Sequence, residues 1–267
     1  MGGPKRADRA GAGVRLSTEA AELWGSAEYE RIAQRFAPIH DELVARLEPG
    51  PGLRWLDVAT GTGEVALRAA RADADVTAID IAPAMIDAAR AKPGADQISF
   101  EVGDAQALPH EDASFDVVSS VFGVIFAPDH RATAAELARV GRGRLGLTVW
   151  RPDPGMAELY GRFGLDTPEG REPFRWGRED YLEQLLGDSY DLTIEPGTWL
   201  IEGASGEEVW QFWSQSAPPC KALLSTLDDK RREEFHGAYV EYCERFRVEG
   251  GGVAVPRRYL LVLGARH

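Results

Sequence analysis

The chain has 267 residues, 44% of them hydrophobic and 27% charged, with a formal net charge of −13. That is enough for one large α/β domain whose core needs no disulfide or metal, and Cys220 and Cys243 stand in no CxxC or other ligand spacing. The histidines are scattered, with no HExxH, and no apolar run is long enough for a membrane span.

Acidic residues outnumber basic ones 21 to 11 between Arg151 and Glu249. Such a surface repels polyanions, which argues against nucleic acid and anionic membranes as partners. It also suits plain solvation.

The basic N-terminus, MGGPKRADRAGAGVR, has no apolar stretch behind it. Residues 1–22 therefore read as a disordered arm and not a secretory signal, and the cytoplasm is the default compartment. Tyr29, Ile32, Phe36, Ile39, Leu43 and Leu47 keep helical spacing, with Pro38 kinking the run or starting a second helix. LRWLDV (53–58) reads as a buried strand and ATGTG (59–63) as a turn into a helix. DVTAID (75–80) is a second strand, and Pro83 suits the first turn of the helix after it.

QISFEV (97–102), FDVVSSVF (115–122) and RLGLTVW (144–150) are further strands, with a helix over 132–140. The alternation predicts βαβ units and a parallel doubly wound sheet. Beyond Trp150 the pattern changes. Residues 151–177 are rich in Pro and Gly, helices are expected over 178–187, 207–213 and 228–246, and strands over 191–203 and 257–265. Pro218-Pro219 reads as a stiff link. Trp210 and Trp213 share a helix face that packs on the sheet or a partner subunit, or meets a flat acceptor.

The chemistry centres on Asp57-Val58-Ala59-Thr60-Gly61-Thr62-Gly63. Glycines 61 and 63 allow a sharp turn and let a ligand lie on bare main chain. The helix that follows offers unpaired N–H groups. This pattern alone fits a dinucleotide as well as S-adenosylmethionine (SAM), and Asp80 at the end of the second strand suits a ribose diol in either case. Asp80 also suits the cap of the next helix.

The segments LDVATGTGEVAL, VTAIDIAPAMIDAAR, FEVGDAQALP, SFDVVSSVFGVIFAPD and AAELARV, in this order, resemble the ubiquinone/menaquinone-biosynthesis type of class I SAM-dependent methyltransferase. The resemblance is close over residues 24–150 and loose beyond. It implies a Rossmann-like seven-stranded α/β sheet with a mainly helical cap after the fifth strand, in one domain over 23–267 with substrate-side insertions at 151–177 and 203–256. It implies SAM as cofactor, with S-adenosylhomocysteine (SAH) as product.

By the same resemblance, Asp57 and the main chain of Ala59, Thr60, Gly61 and Gly63 face the methionine part. Asp80 holds the ribose, with Ile81 and Met85 near the adenine. Gly103 and Asp104 end the third strand, where Asp104 accepts from the adenine amino group and the backbone of Ala105 donates. Val121 and Phe122 line the sulfonium end. Trp24 and Tyr29 match a WxxxxY segment that closes over the cofactor or anchors a helix. Two features depart from the family pattern: Gly141-Arg142-Gly143 forms a shortened turn, and His110 stands where an aromatic is usual, as a surface residue.

The implied reaction is methyl transfer to a small molecule by in-line displacement, in which positioning is the main effect. A general base is not always required. His130 is the candidate base, ahead of Tyr160, Tyr181 and His236, although it also sits at a helix start. The rival readings are a SAM-binding protein without turnover and an NAD(P)-dependent oxidoreductase, although neither Tyr160 nor Tyr181 has the lysine four residues on that the oxidoreductase predicts. A homodimer is the default oligomeric expectation.

Overall fold

The computed structural model describes residues 21–25, 29–164 and 173–267. The expected N-terminal arm lies outside these except for Ala21 and Glu22, which belong to a helical turn, and part of the first expected insertion, 165–172, lies outside them as well.

Helix α1 (Tyr29–Arg35) leads into α2 (Ala37–Arg46), and Pro38 sits in the first turn of the second helix, where no donor is lost. Then follow β1 (Arg54–Val58), α3 (Glu64–Arg71), β2 (Asp75–Asp80), α4 (Pro83–Arg90), β3 (Ile98–Val102), β4 (Phe115–Val121), α5 (His130–Val140) and β5 (Gly141–Trp150). The C-terminal part adds α6 (Pro154–Gly161), α7 (Glu179–Leu186), β6 (Tyr190–Gly203), α8 (Gly206–Ser216), α9 (Pro218–Thr226), α10 (Asp229–Glu244) and β7 (Val253–Arg266).

The seven strands form one sheet in the order β3-β2-β1-β4-β5-β7-β6. The first five are parallel, and β7 runs antiparallel to both neighbours. Strands β1 to β3 step one way and β4 to β5 the other. Right-handed crossovers therefore put α3 and α4 on one face and α5 on the opposite one. The order reverses between β1 and β4, so a crevice opens beyond their carboxyl ends. Near-continuous burial of β1, β4 and β5 fits a sheet covered on both faces.

Several sequence expectations change. Gly141-Arg142-Gly143 is not a turn, because β5 leaves α5 directly at Gly141. A Cβ at 143 would stand 2.4 Å from the Asp116 carbonyl, so close pairing with β4 explains that glycine. β7 begins at Val253, four residues before the expected start, and pairs along its whole length with β6. Pro218-Pro219 opens α9 and does not link two helices. α6, unexpected among Pro and Gly, starts at Pro154 behind an Asp153 cap that accepts from the Met156 amide. Trp210 packs on Phe235, His236 and Tyr239 of α10, while Trp213 on the same face meets Tyr160 of α6 and Arg257 of β7, so the face packs on neighbouring helices and on β7 of the sheet.

Candidate active site

β1 ends in a turn whose backbone is left-handed at Ala59 (φ 54°), Gly61 (55°) and Gly63 (82°). The conformation is costly at Ala59, the one residue of the three that carries a Cβ. Its partner across the crevice is also strained: Phe122, just past β4, has φ 56°. The two turns touch, since a Cβ on Gly123 would lie 2.5 Å from the Ala59 Cβ.

Three carboxylates organise the strand ends. Asp57 is buried, and its two oxygens accept from Ser119 Oγ (2.8 Å) and Thr60 Oγ1 (2.6 Å). Ser119 in turn accepts from Trp55 Nε1 (2.8 Å). Burial pushes the Asp57 carboxyl up to about 6, against the hydrogen bonds of Thr60 and Ser119. Asp80 accepts from the Gly61 amide (2.8 Å) on one oxygen and the Ala82 amide (2.9 Å) on the other. It therefore ties β2 to the glycine turn and caps the approach to α4. Burial raises its pKa, while these amides lower it. The Ile81 amide also acts on Asp80, which still leaves acceptor capacity on the carboxylate. Asp104 accepts from the Gln106 amide and side chain.

These elements enclose a cleft of about 740 Å³. Of the expected site residues, Tyr29, Ala59, Gly61, Asp80, Ile81, Met85, Gly103, Asp104, Ala105 and Phe122 line it. Asp57, Thr60 and Val121 instead line a smaller annex of about 300 Å³, which Tyr29 and Ala59 share with the cleft. The Tyr29 ring lies on Gly61, where a Cβ would come within 3.2 Å of Cε1. Its hydroxyl is pushed up by its enclosure and then by the charge of Asp80. Trp24 packs edge-on to Tyr29 and Phe126 and lines the cleft as well.

Three expectations fall elsewhere. Gly63 lines neither cavity; a Cβ there would press on Ala89 (3.1 Å) and Phe100, so its role is helix and strand packing. His130 is buried against Trp176 and Tyr181, with Nδ1 3.2 Å from the Tyr181 hydroxyl, and lines neither cavity. His110 is half-buried against Phe115 and 3.5 Å from Glu101, not a plain surface residue.

Other lining residues escaped the sequence reading. Gly123, Val124, Phe126, Ala127 and Pro128 continue the wall after β4, and the only hint was their place after a strand end. His40, Thr62 and Glu64 line the annex. His40 Nδ1 and Thr62 Oγ1 are buried without a hydrogen-bond partner among the described residues. Burial holds the His40 imidazole down to about 4, so it is neutral near pH 7. Among the described residues no cluster suited to a metal occurs, and no helix is long and apolar enough to cross a membrane.

Comparison with known proteins accords with this geometry. Residues 56–143 match a family described as a methyltransferase domain. The uncharacterized protein Rv1403c of Mycobacterium tuberculosis is 36% identical over 247 residues, covering 88% of this chain and 90% of its own length. Rv1405c of the same organism is 36% identical over 175 residues, or 62% of this chain, and the match spans just under two thirds (64%) of that relative. A demethylmenaquinone methyltransferase of Deinococcus radiodurans is 45% identical over 105 residues, 37% of this chain and 44% of that one. The solved structure of YcgJ from Bacillus subtilis superposes with a TM-score of 0.60 at 19% identity, covering 85% of this chain and 97% of that one. The chain belongs to the same family as Rv1403c, residues 56–143 form a methyltransferase domain within it, and SAM is the cofactor of such domains.

The residues present suit that cofactor. Acceptor capacity remains on Asp80 in the cleft wall, main chain without a Cβ lies at Gly61 beside the Tyr29 ring, and the annex holds two polar atoms with no hydrogen-bond partner among the described residues.

Proposed function

We propose that the chain methylates a small-molecule acceptor. The observation that carries the reading is Asp80, locked by the Gly61 and Ala82 amides at the point where the strand order reverses. In this reading its remaining acceptor positions take a ribose diol. Ile81 and Met85 flank the adenine, and Asp104 with the Ala105 amide reads its edge. The methionine end enters the annex past Tyr29, where His40 and Thr62 answer its polar groups. Asp57 acts from below by fixing Thr60 and the turn.

SAM supplies a methyl group on a positively charged sulfur, which an acceptor nucleophile displaces in line. The chain's own contribution is placement and exclusion of water. Positioning of this kind accounts for roughly 7–11 kcal/mol of a barrier at best. Trp24, Tyr29 and Phe126 cover the cleft, and residues 206–244 form the cap on the acceptor side. Withdrawal of His130 into packing costs this scheme nothing, because a nucleophile that is already basic needs no general base. The likeness to the demethylmenaquinone methyltransferase is confined to 105 residues, so the proposal takes cofactor handling from it and not the acceptor.

The test is incubation with methyl-labelled SAM and a small-molecule extract. Transfer of label by the wild type, weakened in Asp80→Ala, is the expected result. Binding of SAH without any transfer would favour a binding protein without turnover.

A further inference from the structure

One charged side chain beside the cofactor cleft has no charged partner among the described residues. β7 outruns β5: Tyr259 pairs with Trp150, the last residue of β5, and residues 253–258 continue past the carboxyl ends of the parallel strands beside residues 198–203 of β6. Arg257 stands on this overhang and is only 8% exposed. Burying a guanidinium is costly unless a carboxylate pairs with it. Among the described residues Arg257 makes no ion pair and no side-chain hydrogen bond; its contacts are with ring faces. The guanidinium carbon lies 5.6 Å from the Trp150 ring centre and 5.5 Å from that of Trp213. Burial raises the hydroxyls of Tyr160, Tyr239 and Tyr242, and the Arg257 charge partly offsets this, so all three lie within its field. Asp153, which also acts on Tyr242, is committed to that hydroxyl and to capping α6.

The overhang adjoins the cofactor cleft. Trp150 stacks flat on Phe122, with centroids 3.7 Å apart and planes at 2°, and Phe122 lines the cleft. Ligands of such sheets bind beyond the carboxyl ends of the strands, where Arg257 stands.

We propose that Arg257 is the anion-recognising residue of the acceptor site, and that the methyl acceptor carries a carboxylate held there against the Trp150 and Trp213 rings. This rests on the methyltransferase reading above. The planar guanidinium fork matches a carboxylate, and ring walls favour a flat apolar body. One guanidinium set among rings, next to a stretch (151–249) in which 21 acidic residues outnumber 11 basic ones, suits a monoanion better than a phosphate dianion.

The test is calorimetric titration of the SAH-loaded protein with benzoate and with benzyl alcohol, its uncharged counterpart. The wild type binds benzoate and not the alcohol. Arg257→Met weakens benzoate binding by about tenfold or more and leaves the SAH affinity unchanged. Arg257→Lys, which keeps the charge and loses the fork, recovers part of the benzoate affinity. Thermal unfolding without ligand supplies an independent readout. An unanswered buried charge predicts that Arg257→Met melts at the same temperature as the wild type or higher, whereas a merely structural arginine predicts a lower melting point. Equal benzoate affinity in wild type and Arg257→Met, or no benzoate binding to the loaded wild type, overturns the proposal. Failure of SAH itself to bind overturns instead the reading on which it rests.

Discussion

Between β1 and the start of α5 the cleft is built from main chain: left-handed turns at Ala59, Gly61 and Phe122, and carboxylates whose oxygens already hold backbone amides or hydroxyls. From β5 to β7 the adjoining surface is built from rings, with Trp150, Trp199, Trp213 and Tyr259 around one arginine. A cofactor shared by a whole class is held by features that strand ends supply whatever the side chains are. An acceptor peculiar to one protein has to be met by side chains. The two regions therefore differ in what a substitution there disturbs.

The largest effect sharpens this contrast in stability. Trp55, in β1, is fully buried and donates to Ser119, which supports Asp57. Trp55→Ala costs about 3–5 kcal/mol in urea unfolding. Trp213→Ala, at a half-buried ring, costs less; the reverse order would break the division between a rigid cofactor side and a more open acceptor side.

Next is the pH dependence of the annex. Burial raises Asp57 from 3.8 to about 6, so the native state holds this proton more tightly than the unfolded chain does, and its contribution to stability falls as pH rises from 3.8 to about 6. His40 is lowered from 6.5 to about 4, so its contribution rises with pH over nearly the same window. Each amounts to about 3 kcal/mol by the size of its shift. Relative to wild type, Asp57→Asn gains stability as pH climbs through this window and His40→Gln loses it. Unfolding curves at several pH values that run parallel for all three proteins would show that neither group is buried as described.

The smallest effect lies on the border of the two regions. Phe122→Leu removes the stack on Trp150, a loss of roughly 0.5–1.5 kcal/mol beyond area burial. It perturbs acceptor turnover more than SAH affinity, which calorimetry and initial rates separate.

Much of the first region was legible because strand, glycine turn and acidic strand end follow one another locally, as in Asp57 to Gly63 and Asp80. What was missed there depended on distance in sequence. Gly63 looks like part of the ligand turn until α4 and β3 are seen to press on it. His40 reaches the annex from a helix that precedes the sheet. In the second region local signals misled more. Gly141 and Gly143 suggested a turn, yet they are small because Tyr190 and Asp116 crowd them. Pro154 and Pro218 suggested breaks, yet each sits in a first helical turn, where proline fits. Arg257 reads as one more strand residue until the burial of its neighbours is known.

The central claim is that the Asp80–Gly61 junction holds SAM, and calorimetric titration with SAH and with NADH tests it most directly. The account predicts saturable binding of SAH, none of NADH, and a loss of roughly 1.5–3 kcal/mol in Asp80→Ala, the range for a hydrogen bond to a charged group. Binding of NADH in preference to SAH, or SAH affinity unchanged in Asp80→Ala, would contradict it.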